Sequence, residues 1–281
     1  MFTITPLERS HRQPVLDMLF HSMRVFTHLD WQDVGQWLNT PDAYIQLAWR
    51  QQRLMGILGI SPALNGCAWI RVVGLADQAP AREVLPALWE GMVPVMRGGQ
   101  VHTVAALLAE RWLEDFLPML HFAYQEDIIT LARDQQPLPT RKQPAVHIRA
   151  AEPDDFPQIA VVDQAAFAPP WQMTEQEIRA ARRIAASCKV ALHAELGLVG
   201  YQLSTLYSQS GHLARLATLP QMQAQGVGSA LLEDLILEFD RRSVHHLTVN
   251  TQASNINSQK LYLRYGFHRN GYDLPVWIRQ L

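Results

Sequence analysis

The sequence predicts an α/β protein made of two domains in tandem, each with the same order of strands and helices. Three observations carry that expectation. Strand-like and helix-like segments run through one succession twice. A polar stretch rich in proline separates the two runs. Short motifs of the first run reappear at matching places in the second. With 281 residues, 48% of them apolar, the chain can bury two cores.

The second run reads as a strand at 146–150, a helix start at Pro153 with Asp154 and Asp155 in its first turn, and helices over 155–167 and 173–185. Residues 190–196, 198–208 and 212–219 have the alternation or the β-branched and aromatic content of strands. Residues 226–239 form an amphipathic helix with Leu231, Leu232, Leu235, Ile236 and Phe239 on one face. A strand at 245–251, a helix at 254–267 ending at Gly266, and a strand at 272–278 complete the run.

The first run repeats the order. Residues 2–9 precede a helix around Val15 to Val25. Strands follow at 44–50, 54–62 and 67–76. Then come a helix at 83–96, bent or shortened by Pro86 and Pro94, a strand at 101–109, a helix at 111–122 and a strand at 127–133. Leu54-Met55-Gly56 echoes Leu198-Val199-Gly200, and His121-Phe122 echoes Gly266-Phe267. Two copies are too few for a solenoid. The stretch from Asp134 to Ala145, with Pro137, Pro139 and Pro144, reads as a linker. The expected domains are therefore 1–133 and 146–281, joined by 134–145.

Composition narrows the function. The 24 basic and 26 acidic residues give a net charge of −2, without the basic surplus of a nucleic-acid binder. Cys67 and Cys188 alone build neither a disulfide framework nor a zinc site, and the histidines are scattered, so no metal is expected. The N-terminus lacks the apolar core of a signal peptide and no apolar run suits a membrane span. A cytoplasmic protein with no membrane partner is expected.

Two motifs carry chemistry. The first is Gln223-Ala224-Gln225-Gly226-Val227-Gly228-Ser229, between a strand and the long amphipathic helix. Glycines allow a tight turn and close approach of a ligand, and a helix N-terminus offers unpaired N–H groups, so the segment suits a pyrophosphate. Taken alone, it reads equally as an ordinary glycine-rich turn. It is not a P-loop, because Gly228 rather than lysine precedes Ser229. Nor is it a dinucleotide fingerprint, because Leu231 stands where a third small residue is needed and Asn250 where an acid is needed. The second motif runs from Ala253 to Phe267. Ser254 or Asn255 caps a helix, and Tyr262 lies two turns beyond Asn255 on the same face. Taken alone, that is simply a capped helix with a half-buried tyrosine.

In this order and spacing the two motifs resemble the GNAT superfamily of acyl-CoA-dependent N-acyltransferases. Gln223, Gly226 and Gly228 match the family's loop, with Pro220 before it. Asn255, Ser258, Leu261-Tyr262 and Gly266-Phe267 match its later stretch. The resemblance covers residues 146–281. It implies two GNAT-like domains, each a mixed, mostly antiparallel sheet flanked by helices. It also implies an N-acetyltransferase that moves an acetyl group directly from acetyl-CoA to a primary amine on a small molecule or a peptide. By the resemblance, the amides of Gln223, Ala224, Gln225, Gly226, Val227, Gly228 and Ser229 hold the pyrophosphate. A backbone N–H among Ala217, Thr218 and Leu219 polarises the thioester, and Asn255, with Ser258 beside it, meets the pantetheine arm. Tyr262 protonates the leaving thiolate, a plausible transfer for a phenol of pKa near ~10 and a thiol of ~8.5. Lys260 and Arg264 either reach the 3′-phosphate or form a solvated face, the latter being the simpler account. A non-catalytic acyl-CoA-binding or scaffolding protein is the alternative function, and the sequence leaves self-association open.

The first run lacks these features. Its turn, Asp77 to Glu83, has no glycine and carries acids that oppose a pyrophosphate. The offset that aligns His121 with Gly266 sets Leu117 against Tyr262 and Glu110 against Asn255, so the first domain reads as a degenerate copy. On the acceptor side, Phe167 to Trp171 loosely resembles ribosomal-protein alanine N-acetyltransferases, although a packed aromatic loop explains it as well. Those relatives carry a glutamate on the strand before the asparagine motif; here that position is Asn250, which cannot take a proton. A base elsewhere (Asp163, Glu195 or His212), a water chain, or an acceptor of low pKa remain, and the water chain is the favoured reading.

Overall fold

The computed structural model describes residues 1–140 and 144–281, so residues 141–143 of the expected linker lie outside the described residues. The chain divides into two compact units, one of residues 1–126 with 274–281 and one of residues 127–273.

The first unit begins with β1 (Thr3–Pro6), α1 (Arg12–His21), β2 (Arg24–Thr27) and α2 (Val34–Trp37). It continues through β3 (Tyr44–Arg50), β4 (Arg53–Ile60), β5 (Cys67–Leu75), α3 (Ala81–Gly98), β6 (Thr103–Leu107) and α4 (Arg111–Glu114). Strands β1, β3, β4 and β5 pair antiparallel in that order, and β6 joins β5 in parallel. Two elements differ from expectation. The helix near Val25 stops at His21, and Arg24–Thr27, with β-branched and aromatic residues at its centre, becomes a strand on β5. The helix expected over 111–122 is only α4 and a 3₁₀ turn at Pro118–Leu120, because Pro118 has no N–H to continue the ladder. Conversely, α3 runs unbroken through Pro86 and Pro94. The carbonyls those prolines orphan belong to the exposed Arg82 and Glu90, where water can satisfy them, while Val84, Leu85, Leu88, Trp89, Met92 and Met96 face the core.

The second unit takes up most of β7 (Ala123–Arg133), then β8 (Val146–Ala150), α5 (Phe156–Ala166), α6 (Glu175–Ile184), β9 (Ser187–His193), β10 (Gly197–Tyr207) and β11 (Ser210–Thr218). It ends with α7 (Val227–Arg241), β12 (His246–Gln252), α8 (Ile256–Arg264) and β13 (His268–Arg269). Its sheet runs β8, β9, β10, β11, β12, β7, antiparallel except for the β11–β12 pair. The remaining strand, β14 (Leu274–Gln280), pairs with β6 and belongs to the first unit. The units thus depart from the boundaries drawn from sequence: 127–133 complete the second sheet and 274–281 the first. Strand pattern alone does not say which sheet a strand joins. No helix among the described residues is long and apolar enough to cross a membrane.

The sequence echoes have physical causes. A Cβ on Gly56 would lie 3.0 Å from the Gly74 carbonyl and 3.1 Å from Val84 of α3; one on Gly200 would lie 2.9 Å from the Ala217 carbonyl and 3.1 Å from Val227 of α7. Each glycine lets the long helix of its unit settle on the sheet. His121 and Gly266 both adopt left-handed backbone and turn a buried Phe, Phe122 or Phe267, into the core. An alanine in a strand ordinarily stabilises relative to glycine, but Gly200→Ala is expected to destabilise the protein by about 1–3 kcal/mol through overpacking. Urea unfolding followed by circular dichroism reads the sign; a neutral or stabilising effect would mean α7 is not seated on that glycine.

Candidate active site

Strands β11 and β12 run parallel only where Ser210–Leu213 face His246–Val249. Beyond that point the strands part. Asn250 to Gln252 stay paired with β7, and Arg215 to Thr218 stay paired with β10. Ala214 has no partner at the register shift between Leu203 and Ser204, a bulge that bends β11 at the vertex of the fork. One edge of β11 is therefore open. The Leu219 N–H bonds the Val199 carbonyl at 2.9 Å. Antiparallel pairs alternate, so Ala217 and Arg215 also face β10, and Thr218 and Leu216 turn their backbone groups into the fork. Of the expected trio Ala217, Thr218 and Leu219, only Thr218 offers its amide there. Leu216 joins it, although nothing in its side chain marks it.

The loop at the open end turns through left-handed backbone at Ala224 and Gly226 before α7 begins at Val227. No side chain caps that helix and no acid stands in its first turn. The amides of Ala224, Gln225, Gly226, Val227, Gly228 and Ser229 have no hydrogen-bond acceptor among the described residues. Gln223 donates from its side chain to the Thr218 carbonyl at 3.4 Å and so ties the loop to the strand end. Gly228 is informative: a Cβ there would meet nothing closer than Leu261 at 3.6 Å and Thr218 at 3.7 Å. A helical glycine costs about 1 kcal/mol relative to alanine, and packing within the protein does not require this one. The space beside it suits close approach of a ligand, and the surrounding amides suit an anion.

Helix α8 borders the same groove. Asn255 caps it, its Oδ1 accepting from the Ser258 amide at 3.1 Å, so that oxygen is already engaged. Tyr262 is buried in the cluster that holds Leu213 and Val249, the last paired residues of the fork, with its ring 5.8 Å from that of Phe267. No described residue hydrogen-bonds its hydroxyl. Burial pushes the phenol's pKa well above its ordinary value, so the group keeps its proton. Tyr265 is different: its hydroxyl donates to the Ser229 carbonyl at 3.2 Å and braces the start of α7. Lys260 and Arg264 lie on the exposed side of α8.

The opposite face of the sheet is organised by a buried ion pair. Asp163 of α5 is fully buried and accepts from Arg215 Nε at 2.7 Å, Arg215 Nη2 at 2.9 Å, the Tyr201 hydroxyl at 2.5 Å and the Met173 amide at 2.8 Å. Burial works against the Arg215 charge, but Asp163 outweighs it and holds that pKa above the ordinary value. Arg215 also bonds the Trp171 carbonyl and lies 3.7 Å from the Phe167 ring centre. The α5–α6 connection is thereby pinned beside β11. Sequence reading missed this pair, whose members are 52 residues apart. Of the candidate bases, Asp163 is consumed by its four donors. Glu195 sits in the exposed turn between β9 and β10. His212 lies at the paired end of the fork, Nδ1 2.8 Å from Thr248 Oγ1. Asn250 is exposed on β12.

The family model described as "Acetyltransferase (GNAT) domain" matches residues 161–274. The [ribosomal protein bS18]-alanine N-acetyltransferase of Escherichia coli K12 is 29% identical over 121 residues, covering 43% of this chain and 80% of its own. Its counterpart in Haemophilus ducreyi is 27% identical over 132 residues, covering 45% and 88%. Among solved structures, a GCN5-related N-acetyltransferase from Sphaerobacter thermophilus superposes with a TM-score of 0.61 at 16% identity, over 99% of this chain and 95% of that one. A tandem GNAT protein from the clavulanic acid biosynthesis pathway gives 0.60 at 14% identity, over 100% and 98%. The two-unit fold is thus shared along the whole chain, while sequence similarity concentrates in the second unit. Residues 161–274 thus carry an acetyltransferase (GNAT) domain, all but its last residue within the second unit.

Proposed function

We propose that the second unit is an N-acetyltransferase that moves an acetyl group from acetyl-CoA to a primary amine by direct transfer, in the cytoplasm. The observation that carries this reading is the meeting of three features at one fork: an open β11 edge, a loop of unpaired amides, and a protonated buried tyrosine. The pantetheine arm, itself an amide chain, fits the open edge as a partial strand, and the 224–229 amides receive the pyrophosphate, the Gln223 amide being engaged by the Pro220 carbonyl at 3.2 Å. The thioester carbonyl accepts from an edge amide of Leu216 or Thr218, which steadies the oxyanion as the tetrahedral intermediate forms. The amine nitrogen attacks the carbonyl carbon and loses a proton; the C–S bond breaks, and the thiolate takes the Tyr262 proton, which solvent restores. Desolvation raises the pKa of the tyrosine, but the thiolate leaves into the same dry site and is raised by the same cause.

The acceptor approaches from the α5–α6 face, opposite the groove between α7 and α8. The similarity to alanine N-acetyltransferases supports a peptide amine; the absence of a carboxylate at Asn250 keeps a small amine in view. With Asp163 tied down, the proton leaves through water.

Gly228→Glu adds bulk and negative charge beside the amide loop. It is expected to abolish acetyl-CoA binding by calorimetry while circular dichroism stays unchanged; retained affinity would sink the assignment of the loop. Tyr262→Phe removes one hydroxyl and is expected to lower kcat about 10²–10⁴-fold with cofactor affinity kept. An unchanged kcat, with chemistry limiting, would reduce Tyr262 to packing, and absent transfer in the wild type with intact binding would favour a non-catalytic acyl-CoA-binding protein. Because burial holds the Tyr262 proton, kcat should show no alkaline decline from this group below about pH 10. For a water route, kcat/KM should rise with pH through the acceptor's own pKa in wild type, Glu195→Gln and His212→Gln alike. Loss of the acidic limb in either variant would name that residue the base.

A further inference from the structure

The first unit has a fork too. Strands β5 and β6 run parallel only where Cys67–Trp69 face Thr103–Ala105, and β5 continues past β6 to Leu75. Unlike the fork of the second unit, this one is filled. Residues Val72–Leu75 pair with β4 on one edge and with β2 on the other, Arg24 to Thr27 matching Leu75 to Val72. Since both partners use the same four residues, β2 must lie on the β6 side. The ladder continues as the His28 amide bonds the Arg71 carbonyl at 2.9 Å. The backbone groups of β5 on that edge are consumed from Arg71 to Leu75, and Phe26, fully buried, joins the core beneath.

The loop before α3 has the reverse polarity of its counterpart before α7. It turns carbonyls rather than amides toward its occupant: those of Asp77 and Ala79 accept from the Arg24 guanidinium at 2.8 and 2.9 Å, and that of Ala76 at 3.4 Å. Asp77 also accepts from the Met23 amide at 3.0 Å. Carbonyl oxygens turned toward that space repel a pyrophosphate, and the Arg24 cation, which would attract one, is already engaged by them. At the other end Arg71 of β5 donates to the His28 carbonyl and to Asp30, both at 3.1 Å, as Arg215 of β11 holds the Trp171 carbonyl and Asp163. The same chain segment, between the first two helices of each unit, is thus gripped by an arginine at the middle of the forked strand. In the first unit it reads Arg24-Val25-Phe26-Thr27 and completes a ladder. In the second it reads Phe167-Ala168-Pro169-Pro170-Trp171, whose prolines cannot donate to one.

We infer that Arg24 to His28 is a resident occupant of the first unit's fork, standing where an acyl-CoA would lie, so that the chain has a single acyl-CoA site. This goes beyond the missing glycines, because it names what fills the space, and its one-site count rests on the second unit's fork being the acyl-CoA site. Hydrogen–deuterium exchange of the full wild-type chain, without and with saturating acetyl-CoA, tests it alongside calorimetric stoichiometry. The amides of Phe26 and His28, which face β5, should exchange on the order of a hundredfold or more slower than in a free peptide, with no ligand present, and should not change when acetyl-CoA is added. The amides of Leu216, Thr218 and 224–229 should slow only with acetyl-CoA, at one site per chain. Free-peptide exchange at Phe26 and His28, faster exchange there on adding acetyl-CoA, or two sites per chain would overturn the inference. Protected Phe26 and His28 with no response at Leu216, Thr218 and 224–229 would instead sink the reading of the second unit and leave the filled fork standing.

Discussion

Half-paired parallel strands are the constraint on which both units turn. A β-strand edge with open N–H and C=O groups inside a protein must find partners, because leaving them unmade costs more than a normal hydrogen bond returns. In the second unit the bulge at Ala214 bends β11 away from β12 and creates such an edge beside Tyr262 and the start of α7. In the first, β5 and β6 diverge in the same way, and the chain supplies its own partner.

The two forks show how one fold can be tuned toward or away from a ligand by local polarity. Before α7, left-handed turns at Ala224 and Gly226 expose consecutive amides. Before α3, the turn carries acids and presents carbonyls to Arg24. The arginine on the forked strand persists in both with a carboxylate partner, Asp30 of the α1–α2 connection for Arg71 and Asp163 of α5 for Arg215. Within the second unit that ion pair is dry and saturated, which makes it a fixed wall rather than a proton acceptor.

The amide loop and the α8 cap were legible in the sequence because each demands particular residue types: glycine for positive φ, asparagine for the cap, a tyrosine two turns on. The duplication was legible through Gly56 and Gly200, where helix and sheet approach too closely for a side chain. What stayed hidden depends on contacts distant in sequence. Arg24–Thr27 is extended because an edge awaits it, not because its neighbours forbid a helix. Leu216 matters through its backbone, which leaves no trace in residue type. Asp163 looked like an available base until Arg215, Tyr201 and Met173 were seen around it.

The membership of β7 and β14 has a consequence for how the protein is made. A ribosome delivers the chain from the N-terminus, and most domains fold as they emerge. The first unit, however, lacks a strand beside β6 until residues 274–280 have left the exit tunnel. Until then its sheet carries an uncovered flank of the kind that invites wrong partners. The second unit has the opposite schedule, since its strand beside β12 is synthesised ahead of the rest. A cut at the proline-rich stretch, natural as it looks on paper, would strip one strand from one sheet and strand the other's last strand on the wrong fragment. The two units are successive in sequence but must mature together.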